Sequence, residues 1–322
     1  MTAVLVPTSS EAEWLAARRN GITASEIGII MGLSPYSSPY KLFHQKTGDL
    51  PEEDDNISLA IGRHFEDFVA DRFAERRPEL YVHGDGRALW KRADRPWQMA
   101  TPDRLVDEVW FEPDDSPALI HEERKTLAVL ECKTDGGFDG WGEDGTDEIP
   151  VHYRCQVLWQ MDVMGVQTGF VACLFMNRRQ LRVYEITADG GTNADLAIMR
   201  AEAAQFLARI ETGTPPDLDW RPATSETLKR LHPDVEDRDV IIPSTLGRRY
   251  RSACAALRKA ENRRDLALNQ IRARVGSGRR AVLPDGEVIA RRDVYDLAEK
   301  QITRKASHVD RIVPVKPKEP KQ

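Results

Sequence analysis

The hydrophobic and polar positions of this chain set out a run of helices first and strands second. Residues 11–19 carry Trp14 and Leu15 on one apolar face, and residues 23–31 carry Ile27, Ile29, Ile30 and Met31, which predicts two short helices. Thr23 with Glu26 three positions later has the form of a capping box, and Gly32-Leu33-Ser34-Pro35 ends the second helix. Residues 37–47 predict a third helix with Leu42 and Phe43 inward. Residues 54–77 predict a longer one, with Leu59, Phe65, Phe68, Val69 and Phe73 at a 3.6-residue period. Strands are then predicted at 81–83, 88–91, 97–101, 104–107 and 128–133, the last two separated by a polar insert over 111–125. A glycine- and acid-rich loop, 136–146, reads as mobile. Helix 151–164, strands 168–175 and 180–187, and helix 193–212 follow.

Thr214-Pro215-Pro216-Asp217 is a strong breaker. It divides the chain into 1–215 and 216–322. The first part reads as α+β, a central mixed sheet flanked by helices. The second reads as a long Arg-rich helix over 244–275 and a hairpin turning at Pro284-Asp285-Gly286-Glu287. Its Pro/Lys-rich end, 313–322, has a disordered composition.

Composition narrows the class. The 322 residues are 41% hydrophobic and 30% charged, as in a globular chain. No apolar run is long enough to span a membrane, and Met1–Pro7 lacks the basic start of a signal peptide, so a cytoplasmic location (the host's, if phage-encoded) is expected. Cys132, Cys155, Cys173 and Cys254 are widely spaced, which predicts reduced thiols and no zinc or iron–sulfur site. The net charge of −6 hides an asymmetry: residues 240–322 hold 20 Lys and Arg against 9 Asp and Glu. That basic end either meets an anionic partner or is a solvated arm.

The chemistry gathers at Glu131-Cys132-Lys133, which follows the apolar run Leu127-Ala128-Val129-Leu130. Residues i and i+2 of a strand share a face, so Glu131 and Lys133 point the same way. Asp103, on the preceding predicted strand, adds a second carboxylate. Two carboxylates and the carbonyl of Cys132 are hard oxygen donors suited to magnesium. A bound cation lowers the pKa of a water, which Lys133 positions or deprotonates. The charges close a strand that otherwise reads as buried, and buried charges need partners or a metal.

Two further positions keep two readings each. Glu66, on the long predicted helix, is either a surface residue or a ligand of a second metal. Tyr153, Gln156 and Gln160 lie at i, i+3 and i+7 of helix 151–164. That polar stripe is either an exposed edge or a face turned to the carboxylates.

Four blocks in order resemble the YqaJ-like viral recombinase family, to which phage lambda exonuclease belongs, within the PD-(D/E)XK nuclease superfamily. They are Glu13-Trp14 through Arg18 to Ile22-Thr23-Ala24-Ser25-Glu26; Gly62 through Glu66; Thr101-Pro102-Asp103 with Glu131-Cys132-Lys133; and Tyr153-Arg154-Cys155-Gln156. The resemblance covers about residues 10–212. It implies a PD-(D/E)XK nuclease-like core in which Asp103, Glu131 and the Cys132 carbonyl hold Mg2+, with Mn2+ able to substitute. Glu66 would serve a second ion, and Lys133 the attacking water. Gln156 and Tyr153 would orient water, Lys133 or substrate. Arg18 and Ser25 would grip a terminal 5′ phosphate, with Arg19 as a substitute for Arg18. The family often has Gly after the Asp; here Arg104 stands there, expected to touch the DNA backbone.

The resemblance further implies a 5′→3′ exonuclease that resects linear double-stranded DNA ends for phage-type recombination. It implies a homo-oligomer, usually a trimer, and a single-strand annealing protein as partner. Two alternatives stay open: a nuclease of the same fold with another polarity or an endonucleolytic habit, and a non-enzymatic DNA-binding or scaffolding protein using the basic end.

Overall fold

The computed structural model describes residues 3–51, 56–113 and 120–294. The first segments are β1 (Ala3–Leu5), α1 (Glu11–Arg19), α2 (Ala24–Ile30), α3 (Pro39–Lys46) and α4 (Ile57–Arg76). Then come β2 (Tyr81–His83), β3 (Trp90–Arg92), β4 (Met99–Ala100), β5 (Arg104–Pro113) and β6 (Ile120–Asp135). They are followed by α5 (Val151–Met164), β7 (Thr168–Phe175), β8 (Gln180–Thr187), α6 (Gly190–Thr212) and α7 (Pro222–Leu231). The series ends with α8 (Ser244–Val275), β9 (Arg280–Val282) and β10 (Val288–Arg291).

The central sheet has five strands in the order β2-β5-β6-β7-β8. Only β6 and β7 run parallel; the other pairs are antiparallel. A parallel neighbour needs a crossover, and α5 is that crossover. The α+β class and the mixed sheet expected from the sequence are therefore present. A smaller sheet has three strands in the order β1-β3-β4.

Period-2 alternation divides β6 and β7 between two cores. Ala128 and Leu130 of β6, with Phe170 and Ala172 of β7, face Val69, Ala70 and Phe73 of α4. Val129, Val171, Cys173 and Phe175 face the opposite way, into the core that holds α2, α5 and α6. Helix α4 buries only Val69, Ala70 and Phe73; Leu59 and Phe68, expected inside, are exposed. Residues 54 and 55 of that predicted helix lie outside the described residues, and Asn56 caps it, its side chain accepting from Ser58 N and Leu59 N.

Three expectations are corrected. First, most of the polar insert is strand: β5 and β6 stay paired from Glu108↔Lys125 to Pro113↔Ile120. A backbone ladder forms whatever the side chains are, so side-chain polarity does not reveal it. A register shift at Val106/Asp107 leaves Leu127 without a partner, and it is exposed.

Second, loop 136–146 is tied down. Asp135 accepts from Gly137 N at 3.0 Å and from Trp141 Nε1 at 3.1 Å. Gly142 O accepts from Arg182 Nη1 at 2.5 Å and Tyr184 OH at 3.0 Å, and Asp144 takes Val183 N at 2.7 Å.

Third, the chain divides into compact units at Met1–Pro233 and Asp234–Gln322, beyond the expected break at 215/216. Residues 216–233 strap back onto the first unit. Arg221 donates to Gly32 O, and Thr224 Oγ1 bonds Ser38 Oγ at 2.8 Å. The second unit holds α8 and the antiparallel β9–β10 hairpin, close to the helix and hairpin expected there. The tail expected to be disordered, 313–322, lies outside the described residues. Among the described residues, no helix is long and apolar enough to cross a membrane.

Candidate nuclease site

Register brings the carboxylates together. Arg104 pairs with Leu130 across β5 and β6, so Asp103 enters β5 beside Glu131. The Cys132 amide donates to Asp103 Oδ2 at 2.7 Å, extending the ladder by one side chain. Glu131 and Lys133 both face α5, as the strand period requires.

Glu131 is 2% exposed and takes three donors. The Lys133 ammonium and Gln156 Nε2 donate to Oε1, and Gln160 Nε2 donates to Oε2 at 2.6 Å. A buried carboxylate is tolerated only on such terms. Lys133 Nζ also lies 5.0 Å from the centre of the Tyr153 ring. The stripe Tyr153, Gln156 and Gln160 thus faces the carboxylates, and the exposed-edge reading falls away.

Helix α5 is held close enough for this by a missing side chain. A Cβ on Gly169 of β7 would stand 2.4 Å from Val157 Cγ1 and 2.9 Å from Met161 Sδ. Helix α2 packs on α5 in the same manner: a Cβ on Gly28 would lie 3.2 Å from His152 O.

Glu66 reaches the site through Arg104. Arg104 Nη1 donates to Glu66 Oε1 at 2.8 Å and to the Asp103 carbonyl at 2.5 Å, and the other guanidinium nitrogen pairs with Asp67. Arg104 is buried. It was expected to face a nucleic-acid backbone; it is turned inward because three oxygens surround it there.

The electrostatics follow from crowding. Burial of its carboxyl, and then the charge of Glu131, push Asp103 well above the usual carboxylate range, although part of the residue's surface reaches solvent. Lys133 and the Cys132 amide pull the other way. Burial disfavours the Lys133 ammonium, but Glu131 and Asp103 outweigh it and raise the lysine above its ordinary value. Burial raises the Cys132 thiol and the Tyr153 phenol, so both stay protonated at neutral pH. Cys132 offers the site its carbonyl, not a thiolate.

Among the described residues, no group of three or more His, Cys, Asp or Glu side chains is arranged as a ready metal cage. The donor chemistry nevertheless suits a hard cation. Asp103 and Glu131 repel one another, and the carbonyl of Cys132 belongs to the residue whose amide already binds Asp103. Gln160 Oε1 is buried with no partner beside Glu131, a polar atom left over in the same place.

A second group gathers on α1 and α2. Arg18 Nη2 lies 3.4 Å from Ser25 Oγ and 3.5 Å from Thr23 Oγ1, and its guanidinium stacks 4.3 Å from the Trp14 ring. Arg18 is half-buried and Arg19 exposed. Glu26 Oε2 accepts from Thr23 N at 2.8 Å, as the capping pattern predicted. Lys46 braces the turn, donating to Arg18 O at 2.9 Å and Gly21 O at 2.6 Å and pairing with Glu26 at 2.8 Å.

Of the residues that brace the two groups, Gln160 belongs to the stripe the sequence shows, whereas Lys46 carries no sequence signal, since a lysine in the last turn of a helix is ordinary.

Residues 13–169 match the family model of the YqaJ-like viral recombinase domain. Every candidate residue named above lies within that stretch. The chain is 28% identical over 237 residues to "Uncharacterized protein YqaJ" of Bacillus subtilis (strain 168), covering 72% of this chain and 66% of that protein's length. Among solved structures, it is similar to an alkaline exonuclease (LHK-Exo) from Laribacter hongkongensis, with 20% identity, 68% of this chain and 96% of that one covered, and a TM-score of 0.45. It is also similar to a phage related exonuclease from Haemophilus somnus 129PT, with 9% identity, 60% and 96% coverage and a TM-score of 0.39.

Proposed function

From a chain whose residues 13–169 belong to the YqaJ-like viral recombinase family, we propose a metal-dependent deoxyribonuclease that degrades linear double-stranded DNA from its 5′ ends. One observation carries the reading. Asp103, Glu131 and Lys133 meet on one face, with two glutamines fixing the buried carboxylate. A structural ion pair needs one carboxylate for one lysine; the second carboxylate, kept close at an electrostatic cost, is explained by a cation.

Asp103, Glu131 and the Cys132 carbonyl would hold Mg2+, with Mn2+ as a substitute. When bound, the cation supplies polarisation of the phosphoryl group and a water of lowered pKa. The chain's own residues do the rest. Lys133, held charged by its carboxylate neighbours, donates to the attacking water or a phosphoryl oxygen and steadies the negative charge that develops there. Gln156 and Gln160 keep Glu131 from rotating as that charge moves. The Tyr153 ring packs beside the Lys133 ammonium.

Arg18 and Ser25 would take the terminal 5′ phosphate. Arg forks onto phosphate oxygens, and a terminal monoester carries more charge than an internal diester. Stacking on Trp14 leaves the guanidinium edge presented. The reading extends to resection of DNA ends for recombination, with a homo-oligomer acting beside a single-strand annealing protein.

The test compares degradation of linear duplex with a 5′ phosphate or a 5′ hydroxyl, with Mg2+ and with EDTA. Metal-dependent loss of the labelled 5′ end, faster on the phosphorylated duplex, is expected. Degradation that persists in EDTA would sink the metal assignment. An opposite polarity would sink the 5′ assignment.

A further inference from the structure

Arg104 is a buried cation set between Glu66 and the backbone of Asp103. Its guanidinium is committed to Glu66 Oε1 at 2.8 Å, to the Asp103 carbonyl at 2.5 Å and to the Asp67 carboxylate. It begins β5, opposite Leu130, so its backbone is pinned by the same ladder that places Glu131. Only 6% of the residue is exposed. A guanidinium cannot shed its proton in a protein, so this positive charge is permanent.

Glu66 is confined from the other side. Gly86 has φ +69°, and a Cβ there would stand 2.6 Å from Glu66 Oε1 and 3.6 Å from Asp103 Cα. The carboxylate fills the space that any larger residue would take. Glu66 is thus placed between a glycine turn and an arginine, with one oxygen turned to the guanidinium.

We propose that Arg104 is a built-in counter-charge for Glu66, so that this chain binds one divalent cation, not two. That ion is held by Asp103, Glu131 and the Cys132 carbonyl. Glu66 is then a positioning residue: through Arg104 it fixes the Asp103 carbonyl, and so the strand start from which the Asp103 carboxylate projects. The inference rests on the metal-dependent nuclease reading above.

The experiment counts Mn2+ bound to the full chain by electron paramagnetic resonance of the free ion. One ion per chain is expected for the parent and for Glu66→Gln, and none for Asp103→Asn. Arg104→Ala should gain a second, weaker ion, and Glu66→Gln in that background should lose it again. Arg104→Lys, which keeps the charge, should stay at one ion and provides the comparison if the alanine variant fails to fold.

Two ions on an active parent, or loss of an ion in Glu66→Gln, would overturn the inference and leave the nuclease reading intact. A folded Arg104→Ala that still binds one ion would also overturn it. A parent that binds no Mn2+ and cleaves no DNA would remove the nuclease reading itself, and this inference with it.

Discussion

Gln160 and Glu131 share a 2.6 Å hydrogen bond inside the interface between α5 and β6, where neither residue has appreciable contact with solvent. The glutamine donates that bond through Nε2, and its oxygen, Oε1, has no partner. The bond it does make offsets that cost. Gln160→Ala should therefore destabilise the fold by about 1–3 kcal/mol, the range for stranding a buried acceptor. Urea denaturation reads this directly; an unchanged midpoint would show that Glu131 does not depend on Gln160.

Lys133→Ala should reduce hydrolysis by about 10² or more, as for removal of a positioned proton donor or acceptor. Binding of duplex should persist, because Arg18 and the remaining contacts are untouched. Initial rates and gel-shift affinities on one preparation separate the two effects. A variant that digests duplex at the parent rate would dismiss the lysine from the chemistry.

Arg18→Ala should abolish the preference for phosphorylated 5′ ends more than it slows degradation already under way. A charge-assisted fork distinguishes the dianionic end from the diester interior. Rates on the two kinds of end decide it. A preference that survives would move the role to Arg19 or remove the pocket.

Asp162 predicts the acid limit of the fold. Its carboxylate joins Gln98 at 2.6 Å, Arg200 Nε at 2.9 Å and Arg92 Nη1 at 3.1 Å, so it ties the smaller sheet to α6. Burial works against its charge, yet the bonds from Arg200 and Gln98 and the charges of Arg200 and Arg92 prevail and lower its pKa. A depressed folded value means the stabilisation is complete above the unfolded value, about 3.9. It is lost as pH falls through the folded one. Asp162→Asn should lower the melting temperature at pH 7 and flatten its decline below about pH 4. Thermal melts across pH test this; parallel curves for parent and variant would refute it.

Truncation after Pro233 should leave a folded core, whereas truncation after Pro215 should not leave one of full stability. The shorter cut strips Ser38, which has no solvent contact, of its Thr224 partner and Gly32 O of Arg221. The longer fragment lacks α8, whose 32 residues include nine Lys and Arg and no buried position. It should bind duplex with a shallower salt dependence, since fewer phosphates are neutralised. Equal melting temperatures for the two fragments would contradict the strap, and an unchanged salt slope would remove α8 from the DNA.

The sequence made Glu131 and Lys133 legible because their relation is local: a two-residue period needs no knowledge of the rest of the fold. Gln156 and Gln160 were legible as a stripe for the same reason, though not their target. Arg104 was misread because its direction is set by Glu66, 38 positions away in sequence. Loop 136–146 was read as mobile because its glycines and acids are loop-formers. What anchors it, Arg182 and Tyr184 on β8, comes 40 and 42 positions after the carbonyl they hold. The hairpin of β5 and β6 extends further than hydrophobic alternation predicts, because its outer half is defined by backbone pairing. Local periodicity yields elements and faces; long-range partners decide what a charged side chain on those faces does.

Gly169 gives the site a fixed gauge. With no side chain at that position, α5 rests directly on β7, and the layer thickness sets how far Gln156 and Gln160 must reach to meet Glu131. One methyl group added on β7 would act as a shim under the helix. It would draw both amides off the carboxylate together, while every residue named in the chemistry stayed unaltered. The tolerance of this machinery is set at a position that carries no functional group.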